Sequence, residues 1–282
     1  LQRLAGYCLT GLTTEQVLVF IWGTGGDGKS VFLNTISEIM GDYATVAAIN
    51  VFNATESDKH TTDIADMMGA RLVTSSETQF GRRWDEQKLK SLSGGESIKA
   101  RFMRQDNFVF RPSFKLVFSG NHEPRISVLD EAMRRRIHIV PFTRKPAERD
   151  LNLQDKLRAE YPGILAWMLN GCAKWQREGL TPPESVLKQT SAFFEGEDTL
   201  SLWIADRCDV GADKSERLGK LFESWKEWCG ENGEKYVGRA QDLLKRLRTH
   251  GIDFSKDRHS KSTIAHGVAV NLQATMDMGT TL

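Results

Sequence analysis

Cysteine is scarce in this chain of 282 residues: Cys8, Cys172, Cys208 and Cys229 form no C-x-x-C pair, and none sits in a His-rich cluster. That excludes a zinc ribbon and a disulfide framework, and fits reduced thiols in a cytosolic setting. No apolar run approaches the ~20 residues needed to span a bilayer, and no charged-then-apolar leader opens the chain. Charge of one sign is lacking too. With 38 Lys and Arg against 37 Asp and Glu the formal net charge is +1, so contact with nucleic acid would have to come from local patches. An initiating Met is also missing; Leu1 reads as the start of a fragment, with an N-terminal portion expected before it. The hydrophobic share of 40% and charged share of 27% describe a globular chain long enough for one large domain or two moderate ones.

Against these absences stands Gly23-Thr24-Gly25-Gly26-Asp27-Gly28-Lys29-Ser30, which fits the phosphate-binding pattern G-x-x-x-x-G-K-[ST] at every fixed position. Before it, Val17 to Ile21 is a continuous apolar run suited to a strand buried on both faces. After it, Phe32, Ile36, Ile39 and Met40 recur at helical spacing, so the loop has the strand-turn-helix context it needs. Its glycines permit positive φ and let backbone N–H groups approach phosphate oxygens, at the positive end of the following helix. Lys29 is expected on the β- and γ-phosphates of a nucleoside triphosphate, taken as ATP, and Ser30 on its Mg²⁺.

Residues 1–146 read as an α/β ATPase core. Strands are expected at Val17 to Trp22, Thr45 to Val51, Arg71 to Ser75, Lys115 to Ser119 and Ile137 to Pro141, forming a five-stranded parallel sheet. Between them lie helical patterns at Ser30 to Met40, Thr61 to Met68, Asp85 to Leu92 and Asp130 to Arg135. Residues 147–194 read as a helical lid ending in a linker at Pro182-Pro183. Residues 195–282 read as a winged-helix-like domain of three helices and a hairpin, Ile252 to Phe254 with Gly267 to Leu272. Within it Leu243, Leu244 and Leu247 supply a buried stripe. Arg239, Lys245, Arg246 and Arg248 leave a basic face, joined by Lys235, Lys256, Arg258 and Lys261, that suits DNA contact; a winged helix can equally dock protein.

A phosphate loop needs a group that polarises the attacking water, and Glu77 at the end of the strand from Arg71 is the candidate base and metal neighbour. A solvated glutamate at a strand end would look the same. Ser76 occupies the place where many ATPases carry a metal-linked aspartate. Asn121, after the strand Phe114 to Gly120, is a candidate γ-phosphate sensor, although Gly-Asn also suits a turn. Arg134, Arg135 and Arg136 follow an acidic helix start. One of them can neutralise transition-state charge on a neighbouring subunit's ATP, or all three can be a solvated basic helix end. In Gly94 to Arg104, Lys99, Arg101 and Arg104 partly alternate with Ile98, Ala100 and Phe102, the pattern of a strand with one charged face and a return strand at Phe108 to Arg111. A β-edge with gatekeeping charges gives the same pattern.

Taken in order, Leu4-Ala5-Gly6-Tyr7, the loop, Met40-Gly41-Asp42-Tyr43-Ala44, Gly69-Ala70-Arg71-Leu72-Val73, Ser76-Glu77, Gly94-Gly95-Glu96, Phe114-Lys115-Leu116, Gly120-Asn121-His122 and Arg135-Arg136 leading into Val140-Pro141-Phe142 resemble the helicase portion of phage and plasmid primase-helicases. These are related to the poxvirus primase-helicase and placed in superfamily 3 of the AAA+ ATPases. The resemblance implies an ATP- and Mg²⁺-dependent DNA helicase that self-associates into a ring, a hexamer, and moves 3′ to 5′ on single-stranded and forked DNA. It implies a preceding primase region and a bacterial cell with a phage or mobile-element gene as the setting. Lys29 and Ser30 then look like the ATP and magnesium ligands, Glu77 the catalytic acid, Asn121 the first sensor and Arg135 the arginine finger. Arg136 is the second candidate, because the family carries two arginines where this chain has three. Lys99, Arg101 and Arg104 would line the channel. The competing classes are an ATP-regulated replication initiator without processive unwinding and a protein-remodelling AAA+ machine.

Overall fold

The computed structural model describes residues 1–54, 61–77, 83–124, 126, 131–232, 237–256 and 262–271. The chain divides into two compact units, Leu1–Glu197 and Asp198–Leu282. The first holds helices α1 (Gln2–Cys8), α2 (Lys29–Met40), α3 (Thr61–Ala65), α4 (Glu86–Gly94), α5 (Glu131–Arg136), α6 (Leu153–Ala159), α7 (Tyr161–Glu178) and α8 (Glu184–Glu197). Its strands are β1 (Leu18–Trp22), β2 (Ala44–Val46), β3 (Leu72–Glu77), β4 (Ile98–Arg101), β5 (Asn107–Phe110), β6 (Lys115–Gly120) and β7 (Ile137–Pro141).

Five of these strands form the expected parallel sheet, in the order β2-β3-β6-β1-β7. The alternation of side chains along β1 explains why its sequence is apolar throughout. Leu18 and Phe20 face one core with Leu116, Phe118, Ile137 and Ile139. Val19 and Ile21 face another with Leu72, Val117, Leu33, Ile36 and Met168. On the first face Phe118 sits 4.9 Å from Phe52, edge-on, and 4.5 Å from Trp84, ring centre to ring centre. Each such buried ring contributes about 1.5–3 kcal/mol by leaving water. On the second face α1 and α7 touch backbone to backbone: a Cβ on Gly6 would lie 2.0 Å from the Cys172 amide nitrogen, and one on Gly171 2.0 Å from the Gln2 carbonyl.

Several boundaries differ from the sequence expectation. The second strand spans only Ala44–Val46, because Ile49–Phe52 tightens into a 3₁₀ turn that turns Val51 and Phe52 into the core. The third helix ends at Ala65 rather than Met68. Asp130 lies outside the described residues, and the helix there runs over Glu131–Arg136. Asp85 is not the first residue of α4 but its cap, accepting the Lys88 N–H at 3.0 Å. Beyond Pro182-Pro183 comes α8, where the sequence pattern suggests only linker. It buries Val186, Phe193 and Phe194, and Thr190 accepts the outward N–H of Ile139 on the edge strand β7 at 2.9 Å.

The second unit runs α9 (Thr199–Arg207), β8 (Cys208–Arg217), α10 (Leu218–Glu231), α11 (Ala240–Thr249), β9 (Asp253–Lys256) and β10 (Thr263–Val270). Its sheet is antiparallel in the order β8-β10-β9. The strand β8 adds to the expected elements, and the hairpin is longer than Ile252 to Phe254 on one side and ends at Val270 on the other. Trp203, Trp225, Leu221, Leu243, Leu247, Ala265 and Val268 make its core. The three indole N–H groups of Trp203, Trp225 and Trp228 are satisfied by Ser224 Oγ, the Val237 carbonyl and Asp206 Oδ2. Lys235, Asp257, Arg258, Lys261 and Leu272 lie outside the described residues. Among the described residues no helix is long and apolar enough to cross a membrane, and no cluster of His, Cys, Asp and Glu forms a metal-binding group.

Candidate functional site

The loop from Gly23 joins the C-terminal end of β1 to α2, in the centre of the sheet. Gly25, Gly26 and Gly28 have φ of 94°, 68° and 89°, which side-chain-bearing residues rarely adopt. Among the described residues a Cβ on Gly26 or Gly28 would meet nothing within 4 Å, so the outer side of the loop has room for a large ligand. Lys29 points inward, its side chain 7% exposed. The ammonium reaches the Gly23 carbonyl at 2.9 Å, both Asp27 carboxylate oxygens at 2.9 and 2.8 Å, and Asn121 Oδ1 at 3.1 Å.

Asp27 closes this cluster. It also accepts the N–H of Gly25 at 3.1 Å and that of Lys29 at 3.4 Å, with its side chain 3% exposed. Burial works against its ionisation, but the Lys29 ammonium and the two backbone N–H groups outweigh it and hold the carboxyl below the usual carboxylate range. A carboxylate therefore stands in the seat that the loop pattern assigns to phosphate, which tests the donor set directly: it holds an anion. Ser30 is exposed in the first turn of α2. Beside Gly28 opens an apolar cleft of about 720 Å³ between α2 and the α6–α7 pair, lined in part by Val31, Phe32, Ile36, Leu157, Ile164 and Trp167.

The sheet order brings the other candidates to the same end. β6 lies between β1 and β3, pairing Trp22 with Gly120 and Gly120 with Glu77. Asn121 thus leaves the strand next to the loop, which is why its amide oxygen meets Lys29. The Glu77 backbone sits one strand further, about 10 Å from β1 at ordinary strand spacing. Ser76 faces Ser119, with the two hydroxyl oxygens 3.4 Å apart.

The three arginines of α5 separate clearly. Arg134 stacks its guanidinium over Phe194, 5.0 Å from the ring centre. Arg136 is half-buried, donating to the Ala132 carbonyl at 2.9 Å and to Gln16 Oε1 at 3.3 Å. Arg135 is exposed and makes no hydrogen bond or ion pair among the described residues. Gln16 and Phe194 are distant in sequence, so spacing within the arginine run gives no sign of either contact.

The segment after Gly94 forms the hairpin β4–β5. Lys99 and Arg101 project from its exposed face, Ala100 is fully buried on the other, and Phe102 stacks on Phe108 at 5.0 Å. Arg104 lies at the turn with φ of 59°. In the second unit Arg239, Lys245 and Arg248 are exposed. Arg246 is engaged instead, its guanidinium 5.0 Å from the Trp225 ring centre and donating to Thr199 Oγ1 at 3.1 Å.

A glycine-rich turn with a buried lysine, set between a central parallel strand and a helix, defines a P-loop-like core. Residues 21–136 match a family described as "Family of unknown function (DUF5906)". Over 274 residues, 89% of its length, the chain is 24% identical to "Putative helicase L207/L206" of Acanthamoeba polyphaga mimivirus. Over 254 residues, 82% of its length, it is 24% identical to "Putative helicase 022R" of Frog virus 3 (isolate Goorha). The chain spans 28% and 26% of the lengths of those two proteins. Its fold is similar to the A-form apo structure of the NrS-1 C-terminal region, with a TM-score of 0.53 at 9% identity, covering 90% of this chain and 67% of that one. A second structure of that region gives a TM-score of 0.52 at 10% identity, with 90% and 66% covered. The relatives' names support the helicase-like resemblance seen in the sequence, and the solved structures share its fold.

Proposed function

We propose that the chain is the motor portion of an ATP-dependent DNA helicase, working as a ring, a hexamer, on single-stranded and forked DNA. The observation that carries this reading is the meeting of Lys29 with Asn121 across the sheet, with β6 interposed between the loop strand and the strand ending at Glu77. That strand order supplies chain positions for a polar sensor and for a general base at neighbouring strand ends, which is what hydrolysis needs and simple nucleotide storage does not.

The loop N–H groups and Lys29 hold the phosphates, and the apolar cleft beside Gly28 takes the base. Ser30 would hold the Mg²⁺, which when bound would neutralise charge on the phosphates. Glu77 draws the proton from the attacking water. Asn121, within reach of Lys29, senses whether the γ-phosphate is present. Arg135 projects from the protein surface toward a neighbouring protomer's ATP and stabilises the transition state there.

Lys99, Arg101 and Arg104 follow the DNA backbone by charge, without reading sequence. In the second unit the order helix, strand, helix, helix, strand, strand with β10 between β8 and β9 supports a winged helix. Arg239 and Lys245, on α11 or at its start, are its DNA contacts, and Arg246 holds that helix in place.

Strand displacement on a forked duplex tests the reading. The protein is expected to unwind with ATP, and the variants Lys29→Ala and Glu77→Gln are expected to lose unwinding. Origin binding without unwinding would replace this function with that of an ATP-regulated initiator.

A further inference from the structure

We propose that Asp27 is a built-in competitor for the phosphate seat: its carboxylate occupies the donors a polyphosphate needs and must swing out before nucleotide can settle. The inference rests on the reading of Gly23 to Ser30 as a nucleotide seat and adds its regulation.

Three observations point this way. Asp27 takes the Lys29 ammonium with both oxygens, at 2.8 and 2.9 Å, and the N–H groups of Gly25 and Lys29 as well. Those are the donors that would grip phosphate oxygens, and a donor aimed at one anion is lost to another. The carboxylate is also packed into place, since a Cβ on Gly23 would lie 2.1 Å from Asp27 Oδ2, so the glycine there makes room for it. Finally, Asp27 sits between Gly26 and Gly28, both at positive φ with open space beside them, so the backbone on either side can turn the side chain outward.

The physical consequence follows from the tether. Two residues from Lys29, the carboxylate competes at a high effective concentration, so it lowers the affinity for every polyphosphate without discriminating among bases. It also returns to Lys29 as products leave, which hastens release. A loop that never empties its lysine keeps that buried charge paired in the absence of ligand, where an unpaired ammonium would be costly.

The test is calorimetric titration of the full chain and of Asp27→Asn and Asp27→Ala with ADP and with inorganic tripolyphosphate. Both variants are expected to bind both ligands about tenfold tighter or more, a change of about 1.4 kcal/mol or more. Their ligand-free melting temperature is expected to fall, and the rise on adding tripolyphosphate to exceed that of the parent protein. If the parent binds ADP and the variants bind it equally or more weakly, Asp27 belongs to the cradle and the competitor is overturned. If parent and variants bind neither ligand, the nucleotide reading fails and the competitor with it. Should both variants fail to fold, the ¹³C carboxyl signal of Asp27 in the parent protein decides: it is expected to shift on saturation with ADP, and an unmoved signal would overturn the proposal.

Discussion

Replacing Arg135 and Arg136 one at a time separates a residue that acts across an interface from one that holds its own helix. Arg136→Ala removes hydrogen bonds to Ala132 and Gln16 at 2.9 and 3.3 Å and relieves a buried Nε that has no partner among the described residues. Those two bonds are worth about 1–2 kcal/mol net, which lowers the melting temperature by about 2–8 °C and leaves ATP turnover within a few-fold. Arg135→Ala removes no hydrogen bond among the described residues, so its melting curve is expected to overlay the parent's. Its turnover is expected to fall by about 10³–10⁵, the usual worth of an arginine finger, equivalent to about 4–7 kcal/mol of barrier. ATP binding should survive. Steady-state ATPase assays with DNA, paired with thermal melts, read both quantities. Mixing Arg135→Ala with Glu77→Gln protein is expected to restore part of the turnover at interfaces that combine an intact Glu77 with an intact Arg135. An Arg135→Ala protein that hydrolyses ATP normally, beside an inactive Arg136→Ala protein of unchanged stability, would refute the assignment. Failure to restore turnover at any mixing ratio would count against catalysis across subunits.

Other perturbations bear on separate parts of the molecule. Lys99→Ala and Arg101→Ala are expected to weaken single-strand binding and to reduce the salt slope by about 0.7 for each DNA phosphate no longer neutralised, while basal ATPase persists; fluorescence anisotropy at several salt concentrations measures it. Thr190→Val deprives the Ile139 N–H of its acceptor and is expected to destabilise the first unit by about 1–3 kcal/mol in denaturant titrations. In the second unit, the His250 ring nitrogen lies 3.2 Å from Asp198 Oδ2, which raises the His250 pKa; Asp198 is lowered despite its burial by His250 and Ser201. The histidine's contribution is present below its unfolded value near 6.5 and disappears as pH rises through the raised folded one. The aspartate's contribution is present above about 3.9 and disappears as pH falls through the lowered folded one. Stability of this unit from the pair is therefore expected to be greatest between about pH 4 and 6.5. Asp198→Asn, which still caps α9, should flatten the profile; an unchanged pH profile would rule the pair out.

The sheet is readable in the sequence because strands buried on both faces leave an unbroken apolar signature, as in Leu18 to Ile21 and Leu116 to Phe118. The β4–β5 hairpin is readable for the opposite reason, since Ala100 alternates with Lys99 and Arg101. Hidden are the elements whose burial depends on partners far away. β8 is polar almost throughout and is made a strand by its pairing with β10, with a bulge between His266 and Val268. α8 buries few large apolar residues, Val186, Phe193 and Phe194, leaves Leu187 exposed, and follows two prolines that suggest a break. At the candidate site, the loop pattern places Lys29 and Ser30 but is silent on where Asp27 turns. The run of three arginines likewise carries no order among them, because Phe194 and Gln16 decide which two guanidiniums are engaged.

The seal that Thr190 sets on β7 has a practical side. Pro182-Pro183 looks like a natural point at which to cut the chain to isolate the ATPase core. Cutting there would strip away α8 and leave the outer rim of the central sheet with the Ile139 amide unpaired, beside the apolar ground that Phe193 and Phe194 had covered, open to recruiting a strand from another molecule. A shortened protein of that kind should clump in solution even though every residue of the nucleotide seat is retained.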